Sequence, residues 1–214
     1  MNIPLTLKCP NCGEARTHRV HLNDAAADFM CPKCNSNCTG IPGLDVTIGI
    51  LLLHRSNYEL EVEKDYDMAI VLAAAAVECE LSCLYCKWKE VEALGTSEPF
   101  DADACEEELR RMGRVTDKII NISSFLYSGG IESFVQSSDK WKKTISEGFL
   151  GLRLESFAMD FQRAVFWPRN AVLHQGKSGK TKDEALSCCR IAWLGVHILK
   201  EMDKAKLHAF QSSH

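Results

Sequence analysis

Two Cys-x-x-Cys pairs, Cys9-Pro10-Asn11-Cys12 and Cys31-Pro32-Lys33-Cys34, constrain the folding of this chain more than any other feature of its 214 residues. Four soft sulfur ligands in two knuckles, about 15–20 residues apart, are what a tetrahedral zinc ion requires. Each proline stiffens its knuckle, and Gly13 permits the tight turn after the first. Between the knuckles, Thr17-His18-Arg19-Val20-His21-Leu22 suits a strand, and Asp28-Phe29-Met30 leads into the second pair. So small a unit has too little core to fold alone, and metal binding worth about 10–16 kcal/mol supplies what is missing. The expected ligands are Cys9, Cys12, Cys31 and Cys34. Cys38, His18 and His21 are left outside that set. Four thiolates leave no open coordination position, so the zinc is expected to be structural and not catalytic.

Residues 1–44 therefore read as a zinc ribbon. Eleven cysteines would suggest disulfides in a secreted chain, but the first residues show neither a basic region with an apolar core nor a cleavage site. No uninterrupted apolar run reaches about 18 residues; the nearest, Met68 to Val77, is shorter. The expectation is a cytoplasmic protein with reduced thiols and no membrane partner. A formal net charge of −4 argues against a broadly basic surface, so any nucleic acid must be met by a local patch.

The remainder reads as helical. Asp45 to Leu53 is short, apolar and partly β-branched, which suggests a strand, and Arg55 to Glu63 a polar connection. Residues 45–63 are thus expected as strand and linker, and residues 64–210 as a helical domain. Asp65 to Leu94 carries Ala69, Ile70, Leu72, Ala73, Ala76, Val77, Leu81, Leu84 and Tyr85 at helical spacing. Glu78 and Glu80 interrupt that face, with Glu78 read toward the core and Glu80 toward solvent. Cys79, Cys83 and Cys86 fall at helical spacing and read as packing residues. A second helix is expected over Cys105 to Tyr127, and a shorter one over Ile131 to Phe149 that bears the cluster Lys140-Trp141-Lys142-Lys143. That cluster reads as a solvated face, with part of a nucleic-acid-contacting rim as the sharper alternative. Leu152 to His174 forms a further helix in which Pro168 should introduce a kink. Gly176 and Gly179 end it in a loop bearing Lys177 and Lys180, and Asp183 to Leu207 forms the last helix. The expected fold class is mainly α, a bundle of four or five helices preceded by a small β zinc ribbon.

At the end of the Pro168 helix lies Arg169-Asn170-Ala171-Val172-Leu173-His174. Arginine offers a planar, permanently charged fork that matches a phosphate. A histidine, with an ordinary pKa of about 6.5, can take a proton from a ribose 2′-hydroxyl or give one to a leaving oxygen. Asn170 can hold the imidazole or a substrate oxygen. On a straight helix Asn170 and His174 share a face, whereas Arg169 lies some 140° away from His174. A kink or a second subunit is then needed to bring both to one phosphate.

This Arg-Asn-x-x-x-His motif ends a helix and is followed by a basic glycine loop and another amphipathic helix. With the alanine-rich helix bearing Glu78 upstream, it resembles the HEPN superfamily (higher eukaryotes and prokaryotes nucleotide-binding domain) over roughly Glu63 to Leu207. The resemblance implies a HEPN-like bundle and a metal-independent endoribonuclease, with Arg169, Asn170 and His174 catalytic and Lys177 and Lys180 binding RNA. It also implies a homodimer through the helical domain and a role in toxin–antitoxin or antiviral defence, with an antitoxin or other regulatory protein as a further partner. The alternatives are a non-catalytic HEPN-like module that binds nucleotides, RNA or proteins, and a zinc-ribbon regulator whose helices only dimerise it.

Overall fold

In a computed structural model of the chain, each cysteine pair sits at the bend of an antiparallel hairpin. Strand β1 (Asn2–Lys8) pairs with β2 (Ala15–His21), with Lys8 opposite Ala15, so Cys9 and Cys12 fall in the turn between them. Strand β3 (Ala27–Met30) pairs with β4 (Asn37–Gly40), with Met30 opposite Asn37, and Cys31 and Cys34 occupy the equivalent bend. The structure describes residues 2–9, 11–12, 14–21, 27–40, 47–96, 99–147, 149–176 and 178–212; at 2–8, 15–21, 27–29, 37–40 and 149 it describes the backbone. The side chains of His18, His21 and Cys38 therefore lie outside that description. As a whole the chain is mainly helical, and it divides into two compact units, Met1–Thr47 and Ile48–His214.

The second unit opens with a helix and not with the strand expected over residues 45–53. Helix α1 (Ile48–Tyr58) continues into a π-helical turn over Glu59–Glu63, where a polar connection is expected, and Lys64 ends it in the left-handed region at φ +59°. Residues 48–63 thus belong to the helical unit. A short apolar run has no period that separates a strand from a buried helix, and tertiary contact decides. Leu53 and Ser56 are fully buried. The Ser56 hydroxyl donates to Ala69 O at 2.8 Å and lies 3.0 Å from Cys189 Sγ.

Helix α2 (Tyr66–Thr96) is the axis of this unit. Ala69, Ile70, Ala73, Ala74, Ala76, Val77 and Leu81 are fully buried, because small side chains let neighbouring helices approach closely. By length and composition α2 could cross a bilayer, yet more than half of its most apolar window is buried inside the protein. Its two glutamates sit opposite to expectation: Glu80 is 0% exposed, while Glu78 is only half-buried. Glu80 lies under α1, with its Oε2 2.8 Å from the point a Cβ on Gly49 would occupy. Of the helical cysteines, Cys83 is exposed, and Cys86 reaches Cys105 with a sulfur separation of 3.0 Å.

The helix expected over residues 105–127 is two helices, α3 (Ala102–Arg111) and α4 (Val115–Leu126), separated at Gly113, whose φ is +68°. Asp101 caps α3 by accepting the Ala104 N–H at 2.9 Å. Two short helices follow, α5 (Gly130–Ser137) and α6 (Asp139–Ser146). Single 3₁₀ turns at Phe149–Gly151 and Leu154–Ser156 then lead into α7 (Phe157–Gln175). Helix α8 (Lys182–Ser212) closes the unit and runs five residues beyond Leu207, where the last helix is expected to end. The described helices thus number eight against an expected four or five.

Helix α8 is held to its neighbours by two indoles. Trp141 Nε1 donates to Glu201 at 2.5 Å and Trp88 Nε1 to Asp203 at 2.7 Å, so each large ring is buried with its polar atom satisfied. Helices α7 and α8 pack closely at Gly195, where an added Cβ would fall 2.3 Å from two carbons of the Phe161 ring.

Candidate functional site

Helix α7 carries the motif, and its start is fixed by a short polar network. The Arg153 guanidinium makes a two-pronged pair with Asp160, through Nε at 2.8 Å and Nη2 at 2.9 Å, and Ser156 Oγ donates to the same carboxylate at 2.8 Å. The hydrogen bonds from Arg153 hold the Asp160 carboxyl at about 2. Phe157, Phe161, Val165 and Phe166 anchor the buried face. The helix continues through Pro168 without a break and ends at Gly176, whose φ is +60° and whose N–H donates to Ala171 O.

After the helix, Asp67 at the start of α2 accepts the Gly179 N–H at 2.8 Å and the Lys180 N–H at 3.0 Å. Thr181 and Glu184 then form a reciprocal capping box on α8: Glu184 accepts the Thr181 N–H at 2.9 Å, and Thr181 Oγ1 accepts the Glu184 N–H at 3.2 Å. Gly179, Lys180 and Thr181 are therefore each held through the backbone N–H by a carboxylate.

Arg169 and Asn170 come together on α7, with Arg169 Nη1 donating to Asn170 Oδ1 at 3.0 Å. The other side of the fork faces Glu78 on α2, with Nη2 3.7 Å from Oε2. Glu78 is thus the carboxylate of this cluster, on a helix nearly a hundred residues away in sequence. His174 is exposed in the last turn of α7, and no described hydrogen bond joins it to Arg169 or Asn170. Because the helix is unbroken, the angular separation of Arg169 and His174 stays at about 140°. Lys180 is half-buried and pairs with Glu184 at 3.1 Å, so its charge is partly neutralised. Lys177 lies outside the described residues.

The basic cluster on α6 separates into two parts. Trp141 is buried and Lys140 pairs with Glu201 at 2.5 Å, whereas Lys142 and Lys143 are exposed. Among the described residues the most exposed large aromatic is elsewhere: Trp167 on α7 is 56% exposed, with the Arg163 guanidinium 5.4 Å from its ring centre. Leu173 is also exposed, at 49%. Trp167 and Arg163 went unread in the sequence because nothing local distinguishes a solvent-facing tryptophan from a core one on a helix with so broad an apolar face.

In the first unit, the sulfurs of Cys9, Cys12, Cys31 and Cys34 all lie within 4.8 Å of one another, an arrangement that could hold a metal ion. Cys9 and Cys34 approach to 3.6 Å, and Cys12 and Cys31 to 3.5 Å. The knuckles are built alike, with the Cys9 N–H donating to Glu14 O at 2.8 Å and the Cys31 N–H to Ser36 O at 3.0 Å. Hydrogen bonding with Ser36 holds the Cys34 thiol down to about 6. A backbone hydrogen bond at Glu14 favours the Cys12 thiolate, but burial and the three neighbouring thiols outweigh it and push Cys12 up to about 12. A bound dication removes such unevenness, because it deprotonates coordinating thiols outright.

No family model, no curated protein and no solved structure matches the chain. A mainly helical chain with a four-cysteine cluster and an Arg–Asn–Glu contact on its α7 helix is what the geometry defines.

Proposed function

We propose that this protein is a metal-independent endoribonuclease of HEPN type, working as a homodimer, with a structural zinc ribbon over residues 1–44. The observation that carries the reading is the Arg169 cluster, in which the guanidinium is oriented by Asn170 and Glu78 at the half-exposed end of α7, ahead of the exposed His174. An arginine held at a surface by one amide and one carboxylate keeps part of its donor fork for a phosphate. His174 as general base takes the proton of a ribose 2′-hydroxyl. The 2′-oxygen then forms a bond to phosphorus, the bond from phosphorus to the 5′-oxygen breaks, and the leaving oxygen receives a proton from a general acid. The products are a 2′,3′-cyclic phosphate and a 5′-hydroxyl. Arg169 neutralises the charge that grows on the non-bridging oxygens. Because Arg169 and His174 diverge by about 140° around α7, His174 of a second copy completes the acid–base pair. The side chains supply both the proton transfers and the charge neutralisation, so the step calls for no metal.

The zinc assignment rests on geometry. Zinc–sulfur bonds of about 2.3 Å set the sulfurs of a tetrahedral site about 3.8 Å apart, close to the two shortest separations, 3.5 and 3.6 Å. Two hairpins that each present a knuckle at the bend fit a zinc ribbon.

The same cluster also favours a second reading. Glu78 offsets part of the charge on Arg169, and Lys180 is paired with Glu184, which suits a binding module with no turnover. Incubation of the protein with RNA in a chelator that leaves the four-thiolate site loaded, beside Arg169→Ala and His174→Ala, separates the two. Loss of about 10²–10⁴ in cleavage rate in each variant is expected for a nuclease. Equal cleavage by all three proteins rejects the catalytic assignment, and RNA binding without cleavage favours the module.

A further inference from the structure

On α7 the residues at 163, 167, 170 and 174 recur every three or four positions, so Arg163, Trp167, Asn170 and His174 lie along one stripe of the helix. Trp167 and His174 are two turns apart, a rise of about 10 Å, short enough for neighbouring nucleotides of one strand. Trp167 is 56% exposed, and the guanidinium of Arg163 lies 5.4 Å from its ring centre. Among the described residues no carboxylate pairs with Arg163, in contrast to Arg153, Arg169, Lys140 and Lys180. The other three tryptophans are placed differently: Trp88 and Trp141 are buried with their indole N–H groups bonded, and Trp193 is half-buried between His54 and His197.

We infer that Trp167 and Arg163 form a stacking platform for an unpaired base, so that the α7 site takes single-stranded RNA, with the base on the indole face and the adjoining phosphate on the guanidinium. Water-exposed indole is costly to maintain on a helix and gains by covering one face with a flat aromatic ring. Every base has such a face, so the platform selects single strands over duplex, in which bases are already stacked, and does so with little regard to sequence. The neighbouring cation supplies the complementary charge for the backbone. This inference rests on the nuclease reading for its substrate class, but it is a statement about binding and is tested without turnover.

The experiment uses the full chain carrying His174→Ala, which binds without cutting, and a short unlabelled single-stranded RNA of mixed sequence. Because Trp167 is the most exposed of the four tryptophans, stacking on it should quench the emission of the protein. Fluorescence anisotropy of a labelled copy of the same RNA measures affinity independently. Trp167→Ala is expected to abolish the quenching and weaken binding by about 5- to 150-fold, the effect of losing one base stack, with Trp167→Phe retaining most of the affinity. The matching RNA duplex should bind no better to the parent than to Trp167→Ala. If Trp167→Ala binds single strands as the parent does, the platform is wrong, and the nuclease reading survives wherever the His174-dependent cleavage persists. If Trp167→Ala instead turns a dimer into a monomer in sedimentation, the indole is a protein contact and the inference is overturned. If no RNA binds any variant, both the inference and the nuclease reading fall.

Discussion

Arg169 Nη2 lies 3.7 Å from Glu78 Oε2, a contact that ties the end of α7 to the middle of α2 while Asn170 takes the other side of the fork at 3.0 Å. Removing the carboxylate has two opposed effects: the charge on Arg169 becomes more available, and its position becomes less certain. Position should dominate, because misplacing a group that contacts the reacting phosphate by an ångström costs up to roughly 10²-fold. On the proposed nuclease reading, Glu78→Ala is therefore expected to lower cleavage. Glu78→Gln keeps an oxygen for Arg169 and should lower it far less while tightening RNA binding at low salt. Arg169→Lys should not restore Arg169→Ala, since lysine has no fork. Initial rates and binding measured on the same RNA check all three.

At the four-thiol cluster, Cys12→Ser or Cys31→Ser should empty the site and unfold the first unit. Metal binding worth about 10–16 kcal/mol exceeds anything the remaining contacts of so small a unit can supply. Metal content by elemental analysis should fall, and protease sensitivity should appear within residues 1–47. The helical circular dichroism should persist, because the core of Ile48–His214 is its own. Unchanged metal content in both variants would sink the zinc assignment.

Glycine in a helix interior is ordinarily about 1 kcal/mol worse than alanine, so Gly195→Ala would stabilise an open position on α8. Here the added methyl would fall 2.3 Å from two carbons of Phe161, a fully buried ring of α7. Overpacking of that kind costs about 1–3 kcal/mol, which outweighs the helix propensity. Gly195→Ala should lower the melting temperature and shift α7. Gly95→Ala, with nothing within 4 Å of the new methyl, is the matched control.

The Arg153–Asp160 pair makes the start of α7 sensitive to acid. Hydrogen bonding from Arg153 holds Asp160 at about 2 against an ordinary 3.8. A depressed carboxylate contributes stability that is complete above the unfolded pKa and disappears as pH falls through the folded one. The contribution should therefore be intact above about pH 4, decline below it, and be gone beneath about pH 2. Arg153 is more than half exposed, so solvent screening keeps the effect small. Asp160→Asn should remove this part of the pH dependence in thermal melts between pH 2 and pH 5.

The long helices could be read from the sequence because alanine, leucine and valine recur at helical spacing without an internal break, and the cysteine pairs because their spacing admits few other uses. The segment from Ile48 could not, since Ile48-Gly49-Ile50-Leu51-Leu52-Leu53 has no period of its own and becomes helical by packing on α2. That single misreading also explains the exchanged glutamates. A strand over residues 45–53 leaves the flank of α2 that carries Glu80 uncovered, whereas α1 buries it. Gly113, in contrast, was a visible break, and its left-handed φ is what divides α3 from α4. At the candidate site, Arg169, Asn170 and His174 stood out by residue type and spacing. The contact of Arg169 with Glu78 and the exposure of Trp167 depend on which face of α7 the rest of the chain leaves open, and no local pattern encodes that choice.

The Asp67 carboxylate, with one oxygen on the Gly179 N–H and the other on the Lys180 N–H, gives the connection after α7 a fixed backbone at those two residues. With the Thr181–Glu184 box fastening its far end, Gly179 to Thr181 is a ledge and not a gate. The conformational entropy of setting it was met when the chain folded, and none is left to be charged against an arriving ligand. Whatever lies against Gly179 to Thr181 meets a border already in its final place, so selection there works by fit at first encounter and not by closure afterwards.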